Sequence, residues 1–316
     1  MAYEMQTDAQ GRCASIGAPR GVLLVANRAS RRGAELREAA RARMIAAGVA
    51  VRELPPMDRE RLAGAIVAAA GDVDAIAILG GDGSLNAAAA GLLGANLPLG
   101  VLPGGTANDL ARTLGLPTDI DAAVDCILAG RTRTIDLGEV NGRPYFNVVS
   151  FGLSVGLAKA LNSESKKRWG VFAYVLAALR ALTTARPFHA EIDARDADGG
   201  CAHVRVKSWQ IAVGNGVYYG GGMAVREGAE IDNGLLELYS LEMQSVWKLV
   251  PMLFHFRAGQ HGLWREVRTL RATEIDIATR RPRSVNADGE IVAATPLRIR
   301  VLPRALRVYA PLPEGV

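Results

Sequence analysis

Residues 80 to 86 read Gly80-Gly81-Asp82-Gly83-Ser84-Leu85-Asn86: glycines around an acid, then a hydroxyl and an amide. An apolar run precedes them and an alanine-rich stretch follows. A strand that ends in a glycine turn and opens a helix aims several backbone N–H groups at one point. The helix N-terminus adds roughly half a positive charge there, which suits a phosphate. Asp82 is the discordant residue, since a carboxylate repels a phosphate unless a metal ion, a proton or a reaction intervenes. The alternative is that Asp82 caps a helix, for which aspartate is favoured. A second turn, Pro103-Gly104-Gly105-Thr106-Ala107-Asn108-Asp109, offers the Thr106 hydroxyl and the Asn108 amide at another strand-to-helix junction. It too reads locally as a capped turn, but two such turns from consecutive units would lie side by side and grip one polyphosphate. A third segment, Val285-Asn286-Ala287-Asp288-Gly289-Glu290, follows the basic residues Arg280, Arg281 and Arg283. Asp-Gly alone is an ordinary hairpin turn. Its two carboxylates gain meaning from the other two segments.

The common nucleotide signatures are missing. Asn86 stands where a dinucleotide fingerprint needs its third glycine, and there is no GxxxxGK[ST], HRD or DFG. The four histidines form no metal-binding pattern, and the three cysteines lie far apart with no zinc or redox spacing, as expected of a cytoplasmic protein.

The elements that must hold these residues follow from periodicity. Gly21–Ala26, Val49–Val51, Ile76–Leu79 and Leu99–Leu102 read as short apolar strands. Helices are expected from Ala34 to Ala47, Arg59 to Ala70, after Asp82, Asp109 to Leu114 and Ile120 to Ala129. This alternation implies an α/β doubly wound parallel-sheet domain, with ligands at the carboxyl ends of the strands. The turns at Asn27, Gly80 and Pro103 all lie at those ends. Beyond about Asp136 strands dominate: Thr134–Val140, Arg143–Val149, His189–Ile192, His203–Ala212, Gly234–Ser240, Glu274–Ala278 and Leu297–Val301. A second, mainly antiparallel domain is expected there. The boundaries read as a flexible tail over 1–20, a nucleotide domain over 21–137 and a second domain over 138–316.

The 316 residues are 49% hydrophobic, enough for two cores, with 35 glycines and a net charge of +5. The charge favours an anionic partner such as a nucleotide, an acidic lipid surface or a nucleic acid, or it reflects a mildly basic soluble protein. No uncharged apolar run approaches the roughly 20 residues of a membrane-spanning helix.

The ordered set GGDGS at 80–84, GGTANDLAR at 104–112 and NADGE at 286–290 resembles the diacylglycerol-kinase-like lipid kinases. It is most similar to their bacterial YegS-like branch. Gly214-Asn215-Gly216, Gly220-Gly221-Gly222 and Ile231-Asp232-Asn233-Gly234-Leu235-Leu236 match further family patterns. The resemblance implies an N-terminal nucleotide domain, a C-terminal β-sandwich-like domain and an active site in the cleft between them. ATP would use Asn27, Gly80 to Asn86, Thr106 and Asn108. Glu290 would accept the proton of a lipid hydroxyl, with Asp288 its rival, and Asp82 and Asp136 would hold Mg²⁺. The implied acceptor is diacylglycerol, phosphatidylglycerol, or a sphingosine- or ceramide-like lipid; a catalytically weak nucleotide- or lipid-binding homologue is the alternative. No nucleic-acid partner is implied; a homodimer is compatible. Peripheral contact with the inner membrane face would use Trp169–Leu182 or Val246–Phe256, unless both are core, helped by Arg28, Arg31, Arg32 and Lys166 to Arg168.

The sequence departs from the family at four places. Ala87 follows Asn86 where Glu is usual, the Asn27 turn lacks its proline, and Arg52 and Glu53 stand near a usual threonine. The family's structural metal site would fall on Glu230, Asn233 and Leu235. An amide at 233 in place of a carboxylate predicts a weak or empty Mg²⁺ site.

Overall fold

The computed structural model describes residues 13–26, 31–153, 186–216, 218–219, 223–224, 230–243 and 267–311. In the N-terminal part, strands Ala50–Glu53, Gly21–Ala26, Ala75–Gly80 and Leu99–Pro103 lie side by side in that order, all parallel. Strand residues alternate between faces. Ile76 and Ile78 pack with Ile66, Leu85 and Leu92 of helices Arg59–Ala69 and Asp82–Ala95. Ala75, Ala77 and Leu79 pack on the opposite face with Met44, Val124 and Ile127, from helices Arg31–Ala46 and Ile120–Leu128. Helices on both faces explain why these strands read as continuous apolar runs. They also leave only the strand ends open, where the glycine turns stand.

The second half is a sandwich. One sheet runs Val267–Ala272, Leu236–Leu241, Gln210–Gly214, Val148–Gly152, Ser284–Ala287 and Glu290–Ala294, with antiparallel neighbours throughout. Its inner face (Phe151, Ile211, Leu238, Val285) meets Phe188, Ile192, Ile275 and Ile299 of an opposing antiparallel layer. That layer comprises Cys201–Ser208, Phe188–Arg195, Glu274–Thr279 and the start of Leu297–Tyr309. The expected fold class, a parallel nucleotide-type sheet followed by an antiparallel sandwich, is the one observed.

The strand Leu297–Tyr309 belongs to both halves. It pairs with Glu274–Thr279 at its start, runs antiparallel to Arg131–Val140, and ends with Val308 parallel to Leu99. The expected boundary at 137/138 falls inside Arg131–Val140, and the chain returns to the first sheet after building the second. Where the two long strands bulge between Leu302 and Leu306, the buried Asp136 carboxylate accepts the Arg304 N–H and the Gly234 N–H, both at 2.7 Å.

Three expectations change. Part of the expected tail is ordered, since Cys13–Ser15 pairs with Arg131–Arg133 and fills the edge of that strand. The expected strand Arg143–Val149 is two: Arg143–Tyr145 pairs with Val140–Gly138, and Val148–Gly152 joins the other sheet. The expected strand His203–Ala212 likewise changes sheets, with Ser208 opposite Phe188 and Gln210 opposite Gly152. Apolar periodicity is blind to such a switch because both sides are buried. Trp169–Leu182 and Val246–Phe256 lie outside the described residues.

Replacing the buried Asp136 with Ala leaves two backbone donors without their acceptor. Urea unfolding should show a loss of about 2–4 kcal/mol. An unchanged midpoint would remove Asp136 from the account of how the halves are joined.

Candidate active site

The two glycine turns touch. The strand Ala75–Gly80 passes to Gly81, the N-cap of helix Asp82–Ala95. The strand Leu99–Pro103 passes through Gly104–Asn108 into the short helix Asp109–Thr113. Gly104 N–H donates to Gly80 O at 2.9 Å. A Cβ on Gly105 would stand 2.5 Å from Gly81 Cα, closer than atoms can pack, so Gly105 needs glycine, and a Cβ on Gly81 would be tight at 3.0 Å from Gly105 Cα. Asn108 adopts φ 49° and spends its amide inside the turn, accepting from Gly105 N–H at 3.0 Å and donating to Gly105 O at 2.9 Å. Thr106 is exposed at the tip and Gly83 is exposed at the helix start, while Ser84 is half-buried against Gly80. Leu85 is a core side chain, so only its backbone faces the turn.

Asp82 does not cap its own helix. Its carboxylate accepts Asp109 N–H and Leu110 N–H, each at 3.1 Å, and so caps the helix of the neighbouring unit. A third contact comes from the second half of the chain, where Asn147 Nδ2 donates to Asp82 Oδ1 at 3.3 Å.

Asn147 belongs to the crossing between Tyr145 and Val148, where the chain leaves one sheet for another. Three successive N–H groups there turn to one side chain. The Asp288 carboxylate collects them, from Phe146 at 2.7 Å and from Asn147 and Val148 at 3.0 Å each. Asp288 has φ 46° at the turn between Ser284–Ala287 and Glu290–Ala294. Asn86 reaches this turn from the first half, donating to Ala287 O at 3.2 Å and lying 3.5 Å from Asp288 Oδ2. Burial pushes the Asp288 carboxyl up to about 6, against the pull of its three N–H donors, and the charge of Asp82 adds to the rise.

Glu290, two residues on, turns toward the first half. A Cβ placed on Gly83 would lie 3.8 Å from Glu290 Oε1, so the carboxylate stands beside the glycine turn. It pairs with Arg59, which also donates to Gly83 O at 3.1 Å. Asn86, Ala87, Arg59, Arg143 and Glu290 line a cleft of about 190 Å³ between the halves. The structure thus brings Gly80–Asn86, Asp288 and Glu290 together. It sets the Asp136 carboxylate against the Gly234 and Arg304 N–H groups, with both oxygens engaged. Asn27 lies outside the described residues.

Three participants carry no motif: Asn147, Arg59 and Arg143. Asn147 is 3% exposed, and its Oδ1 has no hydrogen-bond partner among the described residues. An asparagine at a sheet switch has no local signature. Arg59 looks like an ordinary first-turn residue of a surface helix.

The expected structural Mg²⁺ site does not fit. Asn233 Oδ1 accepts Leu235 N–H at 2.9 Å, Glu230 is exposed, and Asp232 is paired with Arg133 at 2.8 Å.

The fold sets a glycine-turn cradle in one half against a carboxylate from the other. Comparison narrows this. Residues 21–140 match the diacylglycerol kinase catalytic domain, and residues 147–310 match the YegS C-terminal NAD kinase beta sandwich-like domain. The chain is 33% identical over 254 residues to a diacylglycerol kinase of Mycobacterium tuberculosis, covering 77% of this chain and 79% of that protein. It is 33% identical over 234 residues to the "Probable lipid kinase YegS-like" of Pseudomonas fluorescens, covering 73% and 76%. A crystal structure of a diacylglycerol kinase from Bacillus anthracis shares the fold, with a TM-score of 0.73 at 23% identity over 93% of this chain and 98% of that one. The chain belongs to the diacylglycerol-kinase-like lipid kinase family, in its YegS-like branch.

Two measurements follow. Above about pH 6 the Asp288 carboxylate is ionised and accepts three N–H groups; below it, protonation weakens that hold. Because its folded value is raised, the stability from this group is greatest below the unfolded value and falls as pH rises to about 6. Activity runs the other way, so the pH–rate profile should show an acid limb near 6 that Asp288→Asn removes. Separately, Mg²⁺ calorimetry of the nucleotide-free protein should show no tight site, and Asn233→Asp should create or strengthen one.

Proposed function

We propose that this chain is an ATP-dependent lipid kinase, transferring the γ-phosphoryl group to the hydroxyl of a lipid such as diacylglycerol or phosphatidylglycerol. The observation that supports this best is the approach of Glu290 to Gly83. A carboxylate from one half stands where a phosphate cradle opens in the other, and a pure binding site has no need of it.

The residues divide the work. Backbone N–H groups of Gly81 to Gly83 at the helix start, with the Thr106 hydroxyl, receive the polyphosphate. The close contact of Gly81 with Gly105 keeps the cradle shallow enough for phosphate to reach the backbone. Glu290 takes the proton of the lipid hydroxyl as its oxygen bonds to the γ-phosphorus. The bond from that phosphorus to the bridging oxygen of ADP breaks, and ADP leaves with the electron pair. Mg²⁺ bound with the nucleotide neutralises part of the phosphate charge. The buried Asn147 Oδ1, unpartnered among the described residues, is a hard oxygen donor that would suit such an ion, whereas both Asp82 oxygens already accept N–H donors. Asp288 acts through position, because its oxygens are occupied by the backbone N–H groups that orient the turn. The acceptor requires access to a bilayer surface. No helix among the described residues is long and apolar enough to cross one, so the proposal places the protein on the membrane face.

The test is incubation with labelled ATP, Mg²⁺ and diacylglycerol, phosphatidylglycerol, ceramide and sphingosine in turn. Wild type should label one class, and Glu290→Gln should lose about 10²–10⁴-fold in rate. Label on no lipid would favour the nucleotide- or lipid-binding alternative. Full activity in Glu290→Gln would remove the base from the mechanism.

A further inference from the structure

The cleft beside Glu290 carries more positive charge than its walls neutralise. Arg59 begins the helix Arg59–Ala69 in the first half, and Arg143 begins the strand Arg143–Tyr145 across the gap. Burial lowers the Arg59 guanidinium from its usual range, and the like charge of Arg143 lowers it further, so the two cations feel each other. Glu290 is the one carboxylate on the described cleft wall. It pairs with Arg59, while Arg143 has no ion-pair partner among the described residues. Ala87 lies on the same wall, contributing a methyl group where the family usually carries a carboxylate. The nearby Asp288 offers no relief, because its oxygens already hold three backbone N–H groups.

Two guanidinium forks sharing one cleft with a single carboxylate are poised for an anion that can take several N–H donors at once. A phosphate meets that demand better than a carboxylate or a halide, because its oxygens spread in three directions and guanidinium forks match them. The neighbouring helix start at Gly83 adds to the attraction.

We propose that Arg59 and Arg143 form a phosphate subsite beside Glu290, taking a phosphate group carried by one of the two substrates. The carrier is either the nucleotide or an anionic acceptor lipid, and this assignment rests on the lipid-kinase reading above. The subsite also couples binding to chemistry. A phosphate drawn between the two arginines competes with Glu290 for Arg59. The carboxylate is then released to accept a proton only when the ligand is in place.

Arg143 is exposed and outside the core, so Arg143→Ala tests the subsite without disturbing the fold; an unchanged unfolding midpoint checks this. KM for ATP, for phosphatidylglycerol and for diacylglycerol would be measured in wild type, Arg143→Ala and Arg143→Lys. Calorimetric binding of ADP, and cosedimentation with phosphatidylglycerol or phosphatidylcholine vesicles, would be measured alongside. Loss of a charge-assisted contact should weaken the phosphate-bearing ligand by about 10-fold or more, in KM rather than kcat. Arg143→Lys should restore only part of it, since an ammonium lacks the fork. A rise in ATP KM with either lipid, together with weaker ADP binding, identifies the nucleotide as the carrier. A rise confined to phosphatidylglycerol, with weaker binding to its vesicles, identifies the acceptor. If ADP affinity, vesicle binding and every KM are unchanged in Arg143→Ala, the subsite is refuted. Should wild type phosphorylate no lipid, the kinase reading fails, and the ADP and vesicle measurements still decide the subsite.

Discussion

One carboxylate holds the crossing on which the site depends. Between Tyr145 and Val148 the chain leaves one sheet for another, and three consecutive N–H groups turn to one side chain. Asp288 binds all three, and Asn86 approaches it from the first half. Leaving even one buried donor unpaired costs about 1–3 kcal/mol, so the crossing and the Asp288 turn are forced to stay together. With that turn held, Glu290 two residues later is delivered beside Gly83. The cost of the arrangement is visible in Asp288 itself, whose carboxyl is pushed up to about 6 by burial.

The acid in the glycine turn has a related task. Asp82 looked out of place beside a phosphate, yet its oxygens tie down the start of the neighbouring helix at Asp109 and Leu110. This locks two consecutive strand-turn-helix units against each other, at the place where Gly81 and Gly105 approach too closely for a side chain at Gly105. Asn147 then links Asp82 to the crossing that Asp288 holds. A polar chain Asp82–Asn147–Asp288 thus runs across the seam between the halves, beneath the cleft where Arg59 meets Glu290. Polar networks at a seam fix orientation because their directional demands are met in only one arrangement.

Much of this is legible in the sequence. The parallel strands were readable because burial on both faces makes them continuous apolar runs, and the turns because glycine and asparagine are needed where backbones touch or φ is positive. The hairpin at Asp288-Gly289 was readable for the same reason. The sheet switches at Phe146–Asn147 and Trp209 were not. A strand that changes sheets keeps its residues buried, so its pattern does not change. The ordered strand Cys13–Ser15 was missed because three residues are too few to show alternation. Arg59, Arg143 and Asn147 were invisible as site residues because each acts through a partner far away in the chain.

The sequence alone determined residue chemistry at short range: a phosphate-cradling turn at Gly80–Asn86, a companion turn at Gly104–Asn108, and a two-carboxylate turn at Asp288–Glu290. Local steric and hydrogen-bonding rules act over a few residues, so these features survive in any context that lets the strands form. Tertiary structure alone decided which oxygens remain free to work. It committed Asp288 to backbone donors, Asp82 to a neighbouring helix and Asp136 to a strand bulge. It left Glu290 between a glycine turn and an arginine. Whether a carboxylate is structural or available depends on which donors surround it, and those donors come from distant segments: Arg304 lies 168 residues from Asp136, and Asn86 lies 202 residues from Asp288.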